Sequence, residues 1–391
     1  MMRVALVTDG IFPYVMGGMQ KHSYYLCKYL VRMGVKVDLY HTNLSSYDIH
    51  ELELFSEEEK QHINSIVIKF PESDKMPGHY LRSSFKYALK VYDELKQRPK
   101  PDFIYCKGFA GWKLAIEKKL GGLNIPMAVN FHGYEMFQPA PSFKSKIEQL
   151  LLFRGPVKYI CKHADFVMSY GSKINDVIAS IPIPTSKIVA IPTGIEEQWL
   201  NTQIKPTESK KKFLFIGRFE RRKGIEELHT ALSKINDNVA FECHFIGPIP
   251  ESSRLLRSNL IYHGAISDQE VIKKITRNCD ILLCPSYSEG MPNVIMEAMA
   301  SGLAVIATNV GAVNLLVSDK NGYLLELKEL NDLANIINHF IVKNPSEIDL
   351  MKKHSTELIK NNFLWTSIAR IHLDFFNRAV SANPTNPKQQ S

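Results

Sequence analysis

Two carboxylates, Glu289 and Glu297, stand eight residues apart in the stretch "SYSEGMPNVIMEAMASG". Pro292 suits the first position of a helix and Gly302 its end. Between them Asn293 to Ser301 is apolar nearly all the way round, which predicts a buried helix. Glu297 in its middle is then a buried carboxylate, and burial without a partner costs several kcal/mol. The partner is either a Lys or Arg of the chain or the two hydroxyls of a ribose, the group that acidic residues hold in nucleotide sites. Met291 ahead of Pro292 offers no capping oxygen, so the amides of Asn293 and Val294 call for water or an anion; an anion there would also satisfy the helix dipole.

The stretch "FIGRFERRKGIEEL" repeats this arrangement. Arg218 follows the end of a strand and Lys223 precedes Gly224, where a helix is expected to begin. Two cations beside a helix start suit a diphosphate, Arg as a fork and Lys as a point charge. Arg221 and Arg222 between them are expected to face solvent. In "DGIFPYVMGGMQKH" the pair Gly17-Gly18 lets backbone approach a phosphate closely, or simply makes a turn. "VNFHGYE" puts His132 at the end of a strand, in reach of a sugar hydroxyl or in a structural role. GxGxxG and GxxxxGK[ST] are both absent, which argues against dinucleotide oxidoreductases and P-loop enzymes. No DxD pair, carboxylate cluster or Ser-His-Asp set appears, so the expectation is a site with no metal and no cofactor.

These loops need a scaffold that brings strand ends together. Short apolar runs alternate with helical patterns along the chain, the signature of parallel βαβ units. "RVALVTD", "VKVDLYH", "PDFIYCKG", "PMAVNFHG", "DFVMSYG" and "KIVAIPTG" form a first series. "FLFIGR", "AFECHFIGP", "LIYHGAI", "CDILLCPS" and "LAVIATNVG" form a second. The division expected is a domain over 1–194, a linker over 195–211, a second domain over 212–360, an amphipathic helix over 361–380 that packs back toward the first domain, and a disordered tail over 381–391. In such sheets ligands lie beyond the carboxyl ends of the strands, and between two such domains the natural site is a cleft.

A chain of 391 residues with 45% hydrophobic and 23% charged residues is globular in composition. No apolar run nears the roughly 20 residues that span a bilayer, and the N-terminus turns polar too early for a signal peptide. Six cysteines without CxxC spacing read as buried, reduced thiols. A cytoplasmic protein is expected. The net charge of +8 is spread too thinly, and without a recognition motif, for a nucleic-acid binder. It does gather in Arg82, Lys86, Lys90, Lys96, Arg98 and Lys100, and again in Lys144, Lys146, Arg154, Lys158 and Lys162. The second group shares its segment with Ile147 and Leu150 to Phe153. Such a segment either packs its apolar side on the core or lies peripherally on an anionic membrane.

Taken together, the Glu289-x7-Glu297 spacing, "GRFERRKG", the "HG" at His132, Gly17-Gly18 and "VGAVNLLVSDKNGYLL" resemble the retaining glycosyltransferases of family 4, which have the GT-B fold. The resemblance spans nearly the whole chain, strongly in the second half and loosely in the first. It implies an α/β protein of two Rossmann-like doubly wound domains facing across a cleft, the first binding the acceptor and the second the donor. It implies that Glu297 holds the ribose and that Arg218 and Lys223 hold the diphosphate, joined by the amide of Gly18. Glu289 and the backbone of Gly290, Met291, Asn293 and Val294 would contact the donor sugar and its phosphate, His132 the sugar, and the backbone of Ile266 the base. The family often has a Pro-Glu-type pair after "VGA", where this chain has Val313-Asn314. The activity implied is transfer of a hexose from a nucleotide-diphosphate sugar, UDP-sugar favoured, to a glycan or lipid-linked glycan in bacterial surface polysaccharide synthesis, without a metal. The rivals are an epimerase or phosphorylase on the same architecture, and a non-catalytic subunit that binds nucleotide-sugar.

Overall fold

The computed structural model of the chain describes residues 1–15, 17–42, 55–72, 76, 78–236 and 238–383. They form two units. The first holds Met1–Phe137, Lys144–Gly194 and the C-terminal segment from Trp365; the second holds Gln138–Phe143 and Ile195–Leu364.

The first unit is built on a seven-stranded sheet: β1 (Arg3–Val7), β2 (Lys36–His41), β3 (Ile63–Val67), β4 (Phe103–Lys107), β5 (Met127–Asn130), β6 (Phe166–Ser169) and β7 (Ile188–Ala190), in the order β3-β2-β1-β4-β5-β6-β7. Every pairing is parallel, with Val4 opposite Val37 on one side and Phe103 on the other. β1 and β4 are buried on both faces, which is why they read as continuous apolar runs. The second sheet has β8 (Lys211–Ile216), β9 (Phe241–Ile246), β10 (Leu260–Tyr262), β11 (Ile281–Cys284), β12 (Ala304–Thr308) and β13 (Gly322–Leu325), in the order β10-β9-β8-β11-β12-β13 and again all parallel. Both are Rossmann-like, doubly wound orders whose direction of winding reverses beside the first strand of the unit. That reversal lies between β1 and β4 in one sheet and between β8 and β11 in the other.

β3 and β13 did not stand out in the sequence. Both are edge strands, and their burial is interrupted (buried, exposed, intermediate, buried) instead of running continuously. The stretch read as a linker is part of the second unit: Trp199 is buried under Lys273, and the amide of Thr207 donates to Asp349 at 2.8 Å. The six cysteines are buried free thiols. Among the described residues, no helix is long and apolar enough to cross a membrane.

The C-terminal helix, Trp365–Ser381, lies in the first unit. Its Ile368, Ala369, Leu373 and Phe376 share a core with Tyr25, Leu26 and Tyr29 of the helix Gly18–Arg32 and with Val4, Leu6 and Phe103 of the sheet. Phe376 stacks on Phe103 at 4.4 Å. The expected disordered tail begins at Ser381, the last residue of this helix, and from 384 onward lies outside the described residues. Trp365 anchors the helix: it is 1% exposed, and its ring comes so close to Gly194 that a Cβ there would sit 2.8 Å away. Trp365→Ala should therefore cost about 3–5 kcal/mol of the first unit's stability, read as a lowered urea midpoint; a loss below 1 kcal/mol would show that the helix is not anchored this way.

Candidate functional site

Each sheet sends loops that carry chemistry from its reversal point. In the second unit these are the loop after β8, carrying Arg218 to Lys223, and the loop after β11, carrying Glu289 to Pro292. Gly224, at φ 67°, turns the first of these into the helix Ile225–Ser233.

Glu289, not Glu297, is the buried carboxylate. Lys223 Nζ donates to Glu289 Oε1 at 2.6 Å, and Arg222 Nη1 lies 3.7 Å from Oε2. Burial alone would push the Glu289 carboxyl up; Lys223 and Arg222 outweigh it and hold the group below its ordinary range, so it is ionised at neutral pH. The backbone around it is fixed as well. Gln138 Nε2 donates to the Glu289 carbonyl at 2.7 Å, Arg222 Nη1 donates to the Ser288 carbonyl at 3.1 Å, and the Ala312 amide donates to the Gly290 carbonyl at 2.7 Å. Gly311, at φ 58°, lets the loop after β12 pass this close: a Cβ there would lie 2.1 Å from the Glu289 carbonyl oxygen. Val313 and Asn314, which depart from the family's usual pair, open a short 3-10 turn behind this brace.

The expectation that Arg221 and Arg222 face solvent is wrong. Arg221 stacks on Tyr287 at 4.7 Å and pairs with Glu227. Arg222 shares Glu289 with Lys223. Arg218 is the open cation of the loop, 69% exposed and 3.1 Å from Glu220.

Glu297 is half-buried. The helix Asn293–Ala300 buries Ile295, Met296, Ala298, Met299 and Ala300. Asn293, Val294 and Glu297, at i, i+1 and i+4, make its one incompletely covered side. The apolar sequence concealed this side because Val294 belongs to it. Pro292 is the N-cap, one residue before the position expected, and caps with no side-chain bond; Gly302 ends the helix at φ 88°. Met291 is buried and Gly290 is partly exposed. Ile266 lies, half-buried, in the loop after β10.

In the first unit Gly17 is the N-cap of the helix Gly18–Arg32, and Gly18 is exposed. His132 follows β5 at φ 58°, its amide held by Asn130 Oδ1 at 2.6 Å. The Tyr170 hydroxyl lies 2.5 Å from His132 Nδ1, and the ring also hydrogen-bonds the Gly18 backbone. The structure thus joins two residues that the sequence had singled out separately. Burial, with a smaller effect of Lys107, lowers the His132 pKa to about 3, so the ring is neutral. Two groups at these strand ends were missed. Asp9, after β1, has its carboxyl pushed up by burial and takes a 3.1 Å bond from Gln20. Lys107 ends β4 wholly buried; a charge closing the apolar run "FIYCK" was the available signal.

Lys223→Met would leave Glu289 buried beside Arg222 alone. A loss of about 3 kcal/mol is expected, and most of it should return in the double variant Lys223→Met/Glu289→Gln. Urea denaturation of the four proteins closes the cycle; additive losses would mean that the two side chains do not depend on each other.

Two family models match the chain: Glycosyltransferase Family 4 over residues 16–199 and Glycosyl transferases group 1 over residues 210–342. The chain is 27% identical over 230 residues to the N,N'-diacetylbacillosaminyl-diphospho-undecaprenol alpha-1,3-N-acetylgalactosaminyltransferase of Campylobacter jejuni, covering 56% of this chain and 58% of that protein. Matches to the first curated relatives span from about a third to somewhat over half of the relatives' own length. Among solved structures, the sucrose-phosphate synthase of Thermosynechococcus elongatus superposes with a TM-score of 0.77 at 21% identity, over 98% of this chain and 100% of that one. Anabaena HepE, in complex with UDP and glucose, superposes with a TM-score of 0.67 at 17% identity, over 96% and 100%. With both halves matched and both sheets of Rossmann-like order, the chain belongs to the family 4 glycosyltransferases and has the GT-B fold.

Proposed function

We propose that this glycosyltransferase moves a sugar, with retention of configuration, from a nucleotide-diphosphate donor to a glycan or lipid-linked glycan acceptor of bacterial surface polysaccharide. One observation carries the reading: the uncapped start of the helix Asn293–Ala300, with Asn293, Val294 and Glu297 on its open side, follows directly on the loop that Lys223 and Glu289 lock. Glu297 is assigned the ribose hydroxyls, and Arg218 and Lys223 the diphosphate. The backbone from Gly290 to Val294 takes the sugar and its phosphate, and that of Ile266 the base. In the first unit Gly17 and Gly18 offer amides to an anion, and His132, neutral and held by Tyr170 and the Gly18 backbone, is assigned to contact the donor sugar. UDP is the favoured nucleotide, since the HepE structure of the same fold holds UDP and glucose.

In the reaction the bond from the anomeric carbon to the diphosphate breaks and a bond to the acceptor oxygen forms. The acceptor's proton passes to the departing diphosphate on the same face. Arg218 and Lys223 stabilise the charge that develops there, a kind of contact whose removal typically costs roughly 10²–10³ in rate. Glu289, ionised and bound by two cations, is suited to accepting hydrogen bonds from the sugar rather than to donating a proton. No step needs a metal.

A thermal-shift screen of UDP-, GDP- and ADP-sugars should show stabilisation by UDP-sugars that Glu297→Ala abolishes without unfolding the protein, and turnover should survive EDTA. Wild-type affinity in Glu297→Ala would remove the ribose assignment, and loss of turnover on chelation, restored by Mg²⁺ or Mn²⁺, would remove the metal-free mechanism.

The lipid-linked acceptor is supported by the undecaprenol-linked substrate named for the Campylobacter relative. A surface on the first unit points the same way. Ile147, Leu150 and Leu151 are exposed, Leu151 to 77%, on a helical stretch that also presents Lys144, Lys146, Lys158 and Lys162 to solvent. Leu152 and Phe153 of the same stretch are half-buried, with the Phe153 ring 6.3 Å from that of Phe109, so part of the apolar side is covered and part is left open. We assign the open part to the interface of an anionic membrane, which places the enzyme peripherally on its cytoplasmic face; each nearby Lys contributes about 1 kcal/mol. Sedimentation with anionic liposomes should carry the protein down at low salt, less so at high salt, and much less for Leu150→Asp/Leu151→Asp. Binding indifferent to lipid charge and to these substitutions would leave the acceptor soluble.

A further inference from the structure

We propose that Lys107 is a positioning residue for sugar transfer: through Tyr105 and Asn130 it fixes the backbone of His132, and through His22 it ties that loop to the helix that begins at Gly18. The proposal rests on the assignment of His132 to the donor sugar.

Lys107 is 0% exposed, and its Nζ lies 3.0 Å from His22 Nδ1 and 3.2 Å from the Tyr105 hydroxyl. The Tyr105 hydroxyl accepts from Asn130 Nδ2 at 3.0 Å. Asn130 Oδ1 in turn accepts the His132 amide and closes the left-handed turn at that residue. A non-glycine residue in this region is strained and needs such support.

The groups facing this amine are His22 from the helix Gly18–Arg32, Tyr105 in β4, Asn130 and His132 at the end of β5, and His372 from the C-terminal helix, with Tyr170 and Trp365 around them. None is a carboxylate. Among the described residues an ammonium here would be a buried charge with no counterion, and burial accordingly lowers the Lys107 pKa far below the ordinary lysine range. A neutral amine differs from an ammonium in one useful way: it has a lone pair. Lys107 donates to the Tyr105 hydroxyl, and its lone pair can accept from His22 Nδ1, so the one amine joins β4 to the helix Gly18–Arg32. The Tyr105 oxygen also accepts from Asn130 Nδ2, which leaves the Asn130 carbonyl facing the His132 amide. His22 Nε2, buried and without a hydrogen-bond partner, is consistent with His22 being held by Lys107 at its other nitrogen.

The test is Lys107→Met in the full chain. Nitrogen NMR of the histidine rings reports His132 without any ligand, and hydrolysis of UDP-glucose, as the probe, reports transfer to water. The His132 ring signals should shift, and kcat should fall about 10–100-fold with KM within twofold. In a His132→Ala background Lys107→Met should cost nothing further. If Lys107→Met does not fold, Tyr105→Phe, which removes one hydroxyl of the same chain, carries the same expectations. Unchanged His132 signals, unchanged hydrolysis, or losses that add to those of His132→Ala would each overturn the proposal. A wild-type protein that UDP-glucose neither stabilises nor loses to hydrolysis would instead fail the donor reading, while the ligand-free spectra would still decide whether Lys107 sets His132.

Discussion

A carboxylate in the interior of the second unit is tolerable only because Lys223 stands 2.6 Å from it and Arg222 beside it. This interaction sets the rest of the site. The two cations come from the loop after β8 and the carboxylate from the loop after β11, so their pairing clamps the two loops that flank the reversal in strand order. Once clamped, the Glu289–Gly290 backbone has a fixed course. Gly311 then becomes necessary where the loop after β12 crosses it, and the start of the helix Asn293–Ala300 is held in one place.

The same constraint explains why Glu297 can be half open. A helix start that must receive a charged ligand needs an uncovered side, yet its remaining positions must close the core over β11 and β12. The sequence resolves this with Ile295 and the Met and Ala residues inward and Asn293, Val294 and Glu297 outward. The buried charge is delegated to Glu289, whose neighbours belong to the chain and are present whether or not a ligand is bound.

Much of this was legible in the sequence. The buried parallel strands announced themselves as apolar runs, and Gly224 and Gly302 marked a helix start and a helix end that do adopt positive φ. The edge strands β3 and β13 were not legible, because exposed and half-buried residues stand between their buried ones and break the apolar run. The burial of Glu297 was misjudged for a related reason. Periodicity shows how much of a helix is apolar but not which side a neighbouring loop leaves open. Arg221 and Arg222 were misread because their partners Glu227, Tyr287 and Glu289 are distant or carried on other elements, and local sequence holds no trace of an ion pair between loops.

The two units therefore bury ionisable groups at their strand ends in opposite ways. The second unit keeps its charges and pairs them, which leaves Glu289 ionised and the loop around it rigid at any pH well above the carboxylate range. The first unit removes charge: Lys107, His22 and His132 are all held neutral by burial, and orientation comes from hydrogen bonds that neutral groups can direct both ways. A ligand carrying a diphosphate gains from the first strategy, because the cations keep a positive field near the helix start. A sugar, uncharged and rich in hydroxyls, gains from the second, because neutral polar groups of fixed orientation can meet it without drawing a counterion into the site. The division of labour between the units follows from the kind of polar group each leaves at its strand ends.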